Sequence, residues 1–273
     1  MNEILKDLFS HNRMLSYNDY DEYVANITYS MKLYPKFHFF EIALRNKIDA
    51  FMKKFLQKKR FQNVHKLNNK LTNSASITEV DVQGFLNTIN KYSIFESFSN
   101  SFKHMNVSNC QTYQPKINTM LTHKDIIKAL ESNWLLEIYN DIHDLTFDNN
   151  RIDDIFAAAK RSKKTNIIHE DILSNLSMGF WTSMFNSKFI AENEINANIY
   201  FRNIFGRTEL KTIRDEINYI KECRNRVSHF EKVLKSGCHT NQILDVALDK
   251  YLKDLDRSKN LFQLVPNFTI VKI

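Results

Sequence analysis

Glycine, proline and cysteine are all scarce in this chain. Four Gly and three Pro in 273 residues are too few for a turn-rich all-β protein and favour long helices. The three cysteines, Cys110, Cys223 and Cys238, form no CxxC pair and leave one odd. That argues against a disulfide framework and against a structural zinc site. The nine histidines do not change this, because none stands at ligand spacing from a cysteine. No apolar run reaches the roughly 18 residues of a membrane span. The opening Met1-Asn2-Glu3-Ile4-Leu5-Lys6-Asp7 lacks the basic-then-apolar order of a signal peptide. The expectation is a cytoplasmic protein with reduced thiols and no membrane partner. There is also no internal repeat, P-loop, Gly-rich nucleotide fingerprint or paired acidic cluster suited to a two-metal nuclease. No metal and no cofactor are expected.

What the chain does have is apolar content and positive charge. Hydrophobic residues make up 43%, enough for a real core. There are 38 basic residues against 31 acidic, a formal charge of +7 and a pI near 9.1, which favour a polyanionic partner.

The hydrophobic pattern is helical nearly throughout. Residues 1 to 33 read as helix, with Tyr23, Ile27 and Met31 at helical spacing. Lys32 to Pro35 reads as a break, with Pro35 opening the next helix. That helix, Lys36 to Lys59, carries a stripe of Phe37, Phe40, Leu44, Ile48, Phe51 and Phe55. Glu41 lies only about 40° from the stripe's centre at about 100° per residue. A half-buried carboxylate there needs a partner, and Arg45 is placed to give an i,i+4 ion pair. Two roles stay open for Glu41, Arg45 and Asn46. They form a structural salt bridge, or they brace a functional site.

Residues 61 to 120 shift toward Asn, Ser, Thr and Lys and read as short helices and loops, an elaboration of one domain spanning 1 to 273. Lys91, Tyr92, Phe95, Phe98, Lys103 and His104 either pack together or meet single-stranded RNA by charge and stacking. Further helices are expected over Thr122 to Leu145, Ile152 to Lys160, His169 to Phe185 and Gln242 to Lys253. Gly179 in the third suggests close approach of another helix. Ala191 to Gly206 reads as a connection. Lys160, Arg161, Lys163 and Lys164 form either a solvated helix end, favoured by the macrodipole, or a phosphate-binding cluster. The tail Leu261 to Val271 alternates like a short strand or docked extended segment.

The chemistry concentrates in Cys223-Arg224-Asn225-Arg226-Val227-Ser228-His229-Phe230. It lies in a predicted amphipathic helix from Thr212 to Leu234, closed by Ser236-Gly237. Cys223, Val227, Phe230 and Leu234 share the core side; Asn225 and His229, four apart, point the other way, with Arg224 between. His can move a proton near neutral pH. Arg stays cationic and can hold a phosphate oxygen as charge develops. Asn can orient the imidazole. The three suit attack on a phosphodiester; a surface helix with a polar face would show the same letters.

Arg224-Asn225-Arg226-Val227-Ser228-His229 resembles the Arg-Asn-x-x-x-His motif of HEPN-fold ribonucleases. Two more segments in the same chain order, Phe39-Phe40-Glu41-Ile42-Ala43-Leu44-Arg45-Asn46-Lys47-Ile48 and Leu176-Ser177-Met178-Gly179-Phe180-Trp181-Thr182-Ser183-Met184-Phe185, resemble the Abi-like branch (abortive infection, AbiF/AbiD type). The resemblance runs from about Arg13 to Glu231 and is poor across 61 to 120. Ser228 stands where a small residue such as Ala is common. The resemblance implies an all-α HEPN-like helical bundle with 61 to 120 as a variable insertion. It also implies a homodimer whose motif helices face each other across a basic cleft, and a role in phage defence by abortive infection. For the site it implies metal-independent endoribonuclease chemistry at Arg224, Asn225 and His229, with Glu41, Arg45 and Asn46 supporting. Arg226, Lys160, Arg161, Lys163 and Lys164 are the candidate RNA contacts. A small structured noncoding RNA is the implied partner or restraint. The alternative is an RNA-binding protein with weak or no catalysis.

Overall fold

A computed structural model of the chain describes residues 15–73, 80, 84, 87, 130, 132–141, 144–229, 231–233 and 241–255. Among these, every regular element is an α-helix, so the fold is all-α. The helices are α1 (Tyr20–Asn73), α2 (Trp134–Tyr139), α3 (Asn149–Arg161), α4 (His169–Asn175), α5 (Met178–Ser183), α6 (Ser187–Glu192), α7 (Ala197–Phe205), α8 (Leu210–Ser228) and α9 (Asn241–Leu255). Among the described residues, no helix is long and apolar enough to cross a membrane. The chain forms two compact units, one of residues 1–49 and 176–273, the other of residues 50–175. The expected strand in the tail and the aromatic and lysine group at 91 to 104 lie outside the described residues.

A break was expected at Lys32 to Pro35, yet one helix, α1, runs through with Pro35 inside it. A proline there removes one helical N–H and crowds the preceding turn, a cost of about 3 kcal/mol. Burial outweighs it. Tyr23, Asn26, Ser30, Leu33, Phe37, Phe40 and Leu44 are all buried, a stripe in alternating steps of three and four that passes Pro35 without losing register. Each large apolar side chain in it contributes about 1.5–3 kcal/mol. On the other flank of Pro35, Lys36 reaches Asp249 of α9 at 2.8 Å. The stripe also corrects the expected face. Met31 is 70% exposed, while Asn26 is fully buried.

In the first unit, α5, α7, α8 and α9 pack together around an aromatic centre. Phe185 meets the rings of Tyr200, Phe201 and Phe205 at 5.4–5.5 Å between centroids. Tyr251 stands edge-on to Phe205 and to Phe40. The Tyr251 hydroxyl donates to Glu216. Burial, then that carboxylate, pushes its pKa up, against Arg207, whose guanidinium lies 4.6 Å from the Tyr251 ring centroid. Arg207 also pairs with Asp254 at 2.9 Å. The cluster fixes the entry of α8 against α9.

The short helices have local causes. Asp148, Ser177, Asn186 and Asn196 each accept a hydrogen bond from a first-turn backbone N–H, the ordinary N-cap arrangement. Ser177 therefore divides the expected His169 to Phe185 helix in two. Asn196 starts a helix within Ala191 to Gly206, where a connection was expected, and α7 ends on Gly206 at φ 68°, a left-handed cap that suits glycine. Among the described residues, a Cβ at Gly179 would meet only the Ser177 Oγ, at 3.5 Å, so no close approach of a described helix places glycine there. The expected Thr122 to Leu145 helix is described only from Trp134 to Tyr139, where Asp141 at φ 59° turns the chain.

The second unit is tied by Arg60, 3% exposed. Its guanidinium donates to both Glu137 oxygens at 3.2 and 2.5 Å and through Nε to Asp144 at 2.8 Å. Burial would lower the Arg60 pKa, but the two carboxylates more than reverse this and raise it. Removing one member leaves buried charge without its partner. Arg60→Ala is expected to cost about 3–5 kcal/mol in denaturant melts. Replacing Arg60, Glu137 and Asp144 together by apolar residues should restore most of it. Pro35→Ala should stabilise the protein, by up to about 3 kcal/mol. A loss of stability would place a helix start at Pro35 instead.

Candidate functional site

α8 is amphipathic because Ile213, Ile217, Ile220, Cys223 and Val227 fall on one side, and all five are buried. It was expected to continue to Leu234. It stops at Ser228 instead, with His229 as its C-cap. The His229 N–H donates to the Asn225 carbonyl at 3.0 Å, and the Glu231 N–H to the Arg226 carbonyl at 2.8 Å. The second is the 6→1 bond of a Schellman-type terminus. Phe230, Leu234 and Gly237 lie outside the described residues. The imidazole thus sits at the tip of the helix rather than along its side.

Asn225 and His229 are exposed; Arg224 and Arg226 are half-buried. A helix C-terminus carries roughly half a negative charge, which by itself repels an anion. Arg224 and Arg226, close to that end, oppose it. The Arg224 Nη2 donates to Glu41 Oε2 at 3.0 Å, with 35% of the Arg side chain and 18% of the Glu side chain exposed. Glu41 was expected to be partly buried with Arg45 as its mate, and the partner it holds here comes from α8. The contact uses one of the five guanidinium N–H donors. Arg45 is half-buried and Asn46 exposed on α1. Arg226 donates to the Lys232 carbonyl at 3.4 Å.

The other predicted cations lie in the second unit. Lys160 and Arg161 end α3, and Lys163 follows at φ 54°. Arg161 turns its Nε back onto the Ala157 carbonyl at 3.2 Å. Lys164 pairs with Asp171 at 2.6 Å. Among the described residues, no three His, Cys, Asp or Glu side chains gather so as to hold a metal ion.

Sequence reasoning missed the groups that receive the chain as it leaves the motif. Asn26, fully buried on α1, accepts from the Val233 N–H through Oδ1 at 2.8 Å. Its Nδ2 donates to the Glu231 carbonyl at 3.3 Å and to the Tyr17 hydroxyl at 3.0 Å. Lys232 reaches Glu22 at 2.6 Å and the Ser16 carbonyl at 3.0 Å, and lies 5.3 Å from the Tyr17 ring centroid. The signal was present. Stepping back from Phe37 by three and four residues reaches Leu33, Ser30 and Asn26, and a polar side chain on a buried stripe needs partners.

The hydrogen bond from Lys232, and after it the Asn18 N–H at 2.6 Å, hold the Glu22 carboxyl below its usual range. A depressed folded-state pKa stabilises the fold above the ordinary carboxylate value, about 4.3. That stabilisation is lost as pH falls through the depressed one. Thermal melts below about pH 4.3 should therefore decline less steeply in Glu22→Gln than in the parent; an identical acid limb would show that the pair contributes nothing. Compared with family models, curated proteins and solved structures, the chain finds no match.

Proposed function

We propose that this protein is an RNA-directed, metal-independent endoribonuclease of the Abi-like HEPN type, acting as a homodimer in defence against phage. The observation that supports this most is the tip of α8. Asn225 and His229 are exposed there, and the guanidinium of Arg224, on the last turns of the same helix, is held by Glu41. In this reading His229 takes the proton of a ribose 2′-hydroxyl as its oxygen attacks the adjacent phosphorus. The P–O5′ bond breaks, and the leaving oxygen receives a proton from an acid, a second His229 in a symmetric dimer. Arg224 holds a phosphate oxygen as charge develops, and Asn225 orients the imidazole. DNA lacks the 2′-oxygen and is not a substrate.

A second reading is favoured by the same Arg224–Glu41 contact. A carboxylate already on the guanidinium weakens its pull on phosphate, which suits a protein that captures a structured noncoding RNA and cleaves it slowly or not at all. Incubation of the purified protein with an RNA oligonucleotide in excess EDTA separates the two. Cleavage to 2′,3′-cyclic phosphate ends, reduced about 10²–10⁴-fold in His229→Ala, is the expected result. Tight, salt-sensitive binding without products selects the binding role. Cleavage that persists in His229→Ala, or that stops when metal is removed, rejects the mechanism.

A further inference from the structure

We propose that Asn26 and Lys232 are positioning residues. They fix residues 231 to 233 to the start of α1 and so set where the imidazole at the tip of α8 sits. A residue at a helix C-terminus is held on one side by the helix; its other side is as mobile as the segment that follows. Here that segment is gripped at every residue from 231 to 233. The Glu231 N–H is bound to Arg226 and its carbonyl to Asn26; the Lys232 carbonyl accepts from Arg226 and its ammonium reaches Glu22 and Ser16; the Val233 N–H is bound to Asn26.

The Asn26 amide does the work of a neighbouring strand. One carboxamide supplies a donor to the carbonyl of residue 231 and an acceptor for the N–H of residue 233. Neither Asp nor Leu, both close to Asn in size, could satisfy both groups at neutral pH. With a fully buried amide and its Nδ2 also on Tyr17, the anchor has little room to shift. Lys232 adds a second tie, to Glu22 and the Ser16 carbonyl.

The kinetic side of the proposal rests on the ribonuclease reading; the structural side does not. The test compares the parent, Asn26→Ala and Lys232→Met by NMR of protein labelled at the histidine Cε1 carbons. The His229 signal is assigned by its absence from His229→Ala. The expected result is a shifted or broadened His229 signal in both variants, with the buried His169 signal unmoved. If Asn26→Ala fails to fold, Lys232→Met decides alone. A His229 signal unchanged in either folded variant, or one that moves only together with that of His169, overturns the proposal. With RNA in EDTA, kcat should fall by about 10- to 100-fold while KM stays within about twofold, because phosphate contacts at Arg224 are untouched. A fall in kcat/KM carried by KM alone also overturns the proposal. A parent protein that cuts no RNA rejects the ribonuclease reading and leaves the NMR comparison to judge the anchor.

Discussion

Glu41 and Arg224 stand 183 positions apart in the chain and meet at 3.0 Å, and the candidate site depends on that meeting. A guanidinium that is to hold a phosphate must be kept still, and a long side chain at a surface is not still by default. A carboxylate with 18% of its side chain exposed can hold it there. The pair lies between two regimes: fully exposed pairs contribute about 0–1 kcal/mol, and buried ones are costly to break. In the proposed role, an intermediate setting suits a contact that orients the cation and still lets another anion approach.

The positive charge of the chain is not spread as a uniform field. Arg60, Arg207, Lys36 and Lys164 each face a carboxylate of their own unit. These side chains are structural ties, and the surplus of +7 is carried elsewhere. Within the candidate set, Lys164 is answered by Asp171, whereas Lys160 and Lys163 project from an exposed helix end. An electrostatic argument from pI alone would count all of these equally; the pairing shows why it should not.

The helical class and the inward side of α8 were legible because apolar spacing and the scarcity of Gly and Pro are properties of composition and period. Helix boundaries were not. Ser177, Asn186 and Asn196 act as N-caps through a single hydrogen bond each, and such residues are common enough in this sequence to be passed over. Pro35 failed as a stop signal because its cost is local, while the stripe of buried residues on both sides of it acts together. The end of α8 was misjudged because its cause is distant in sequence. The helix stops where Asn26 and Lys232 gather the following residues, and neither local propensity nor a nearby glycine encodes that. Asn26 went unnamed because the expected face ran from Tyr23 through Ile27 and Met31, whereas the buried one runs from Tyr23 through Asn26 and Ser30.

One helix carries both halves of the arrangement. Glu41 steadies the cation before the tip of α8 and Asn26 receives the backbone beyond it, fifteen positions earlier on the same rod, a rise of about 22 Å at 1.5 Å per residue. Each added or deleted residue in that interval would turn one end against the other by about 100°. Lineages of this protein are therefore free to change letters between these two points far more readily than to change the count, so its gaps and insertions should collect elsewhere.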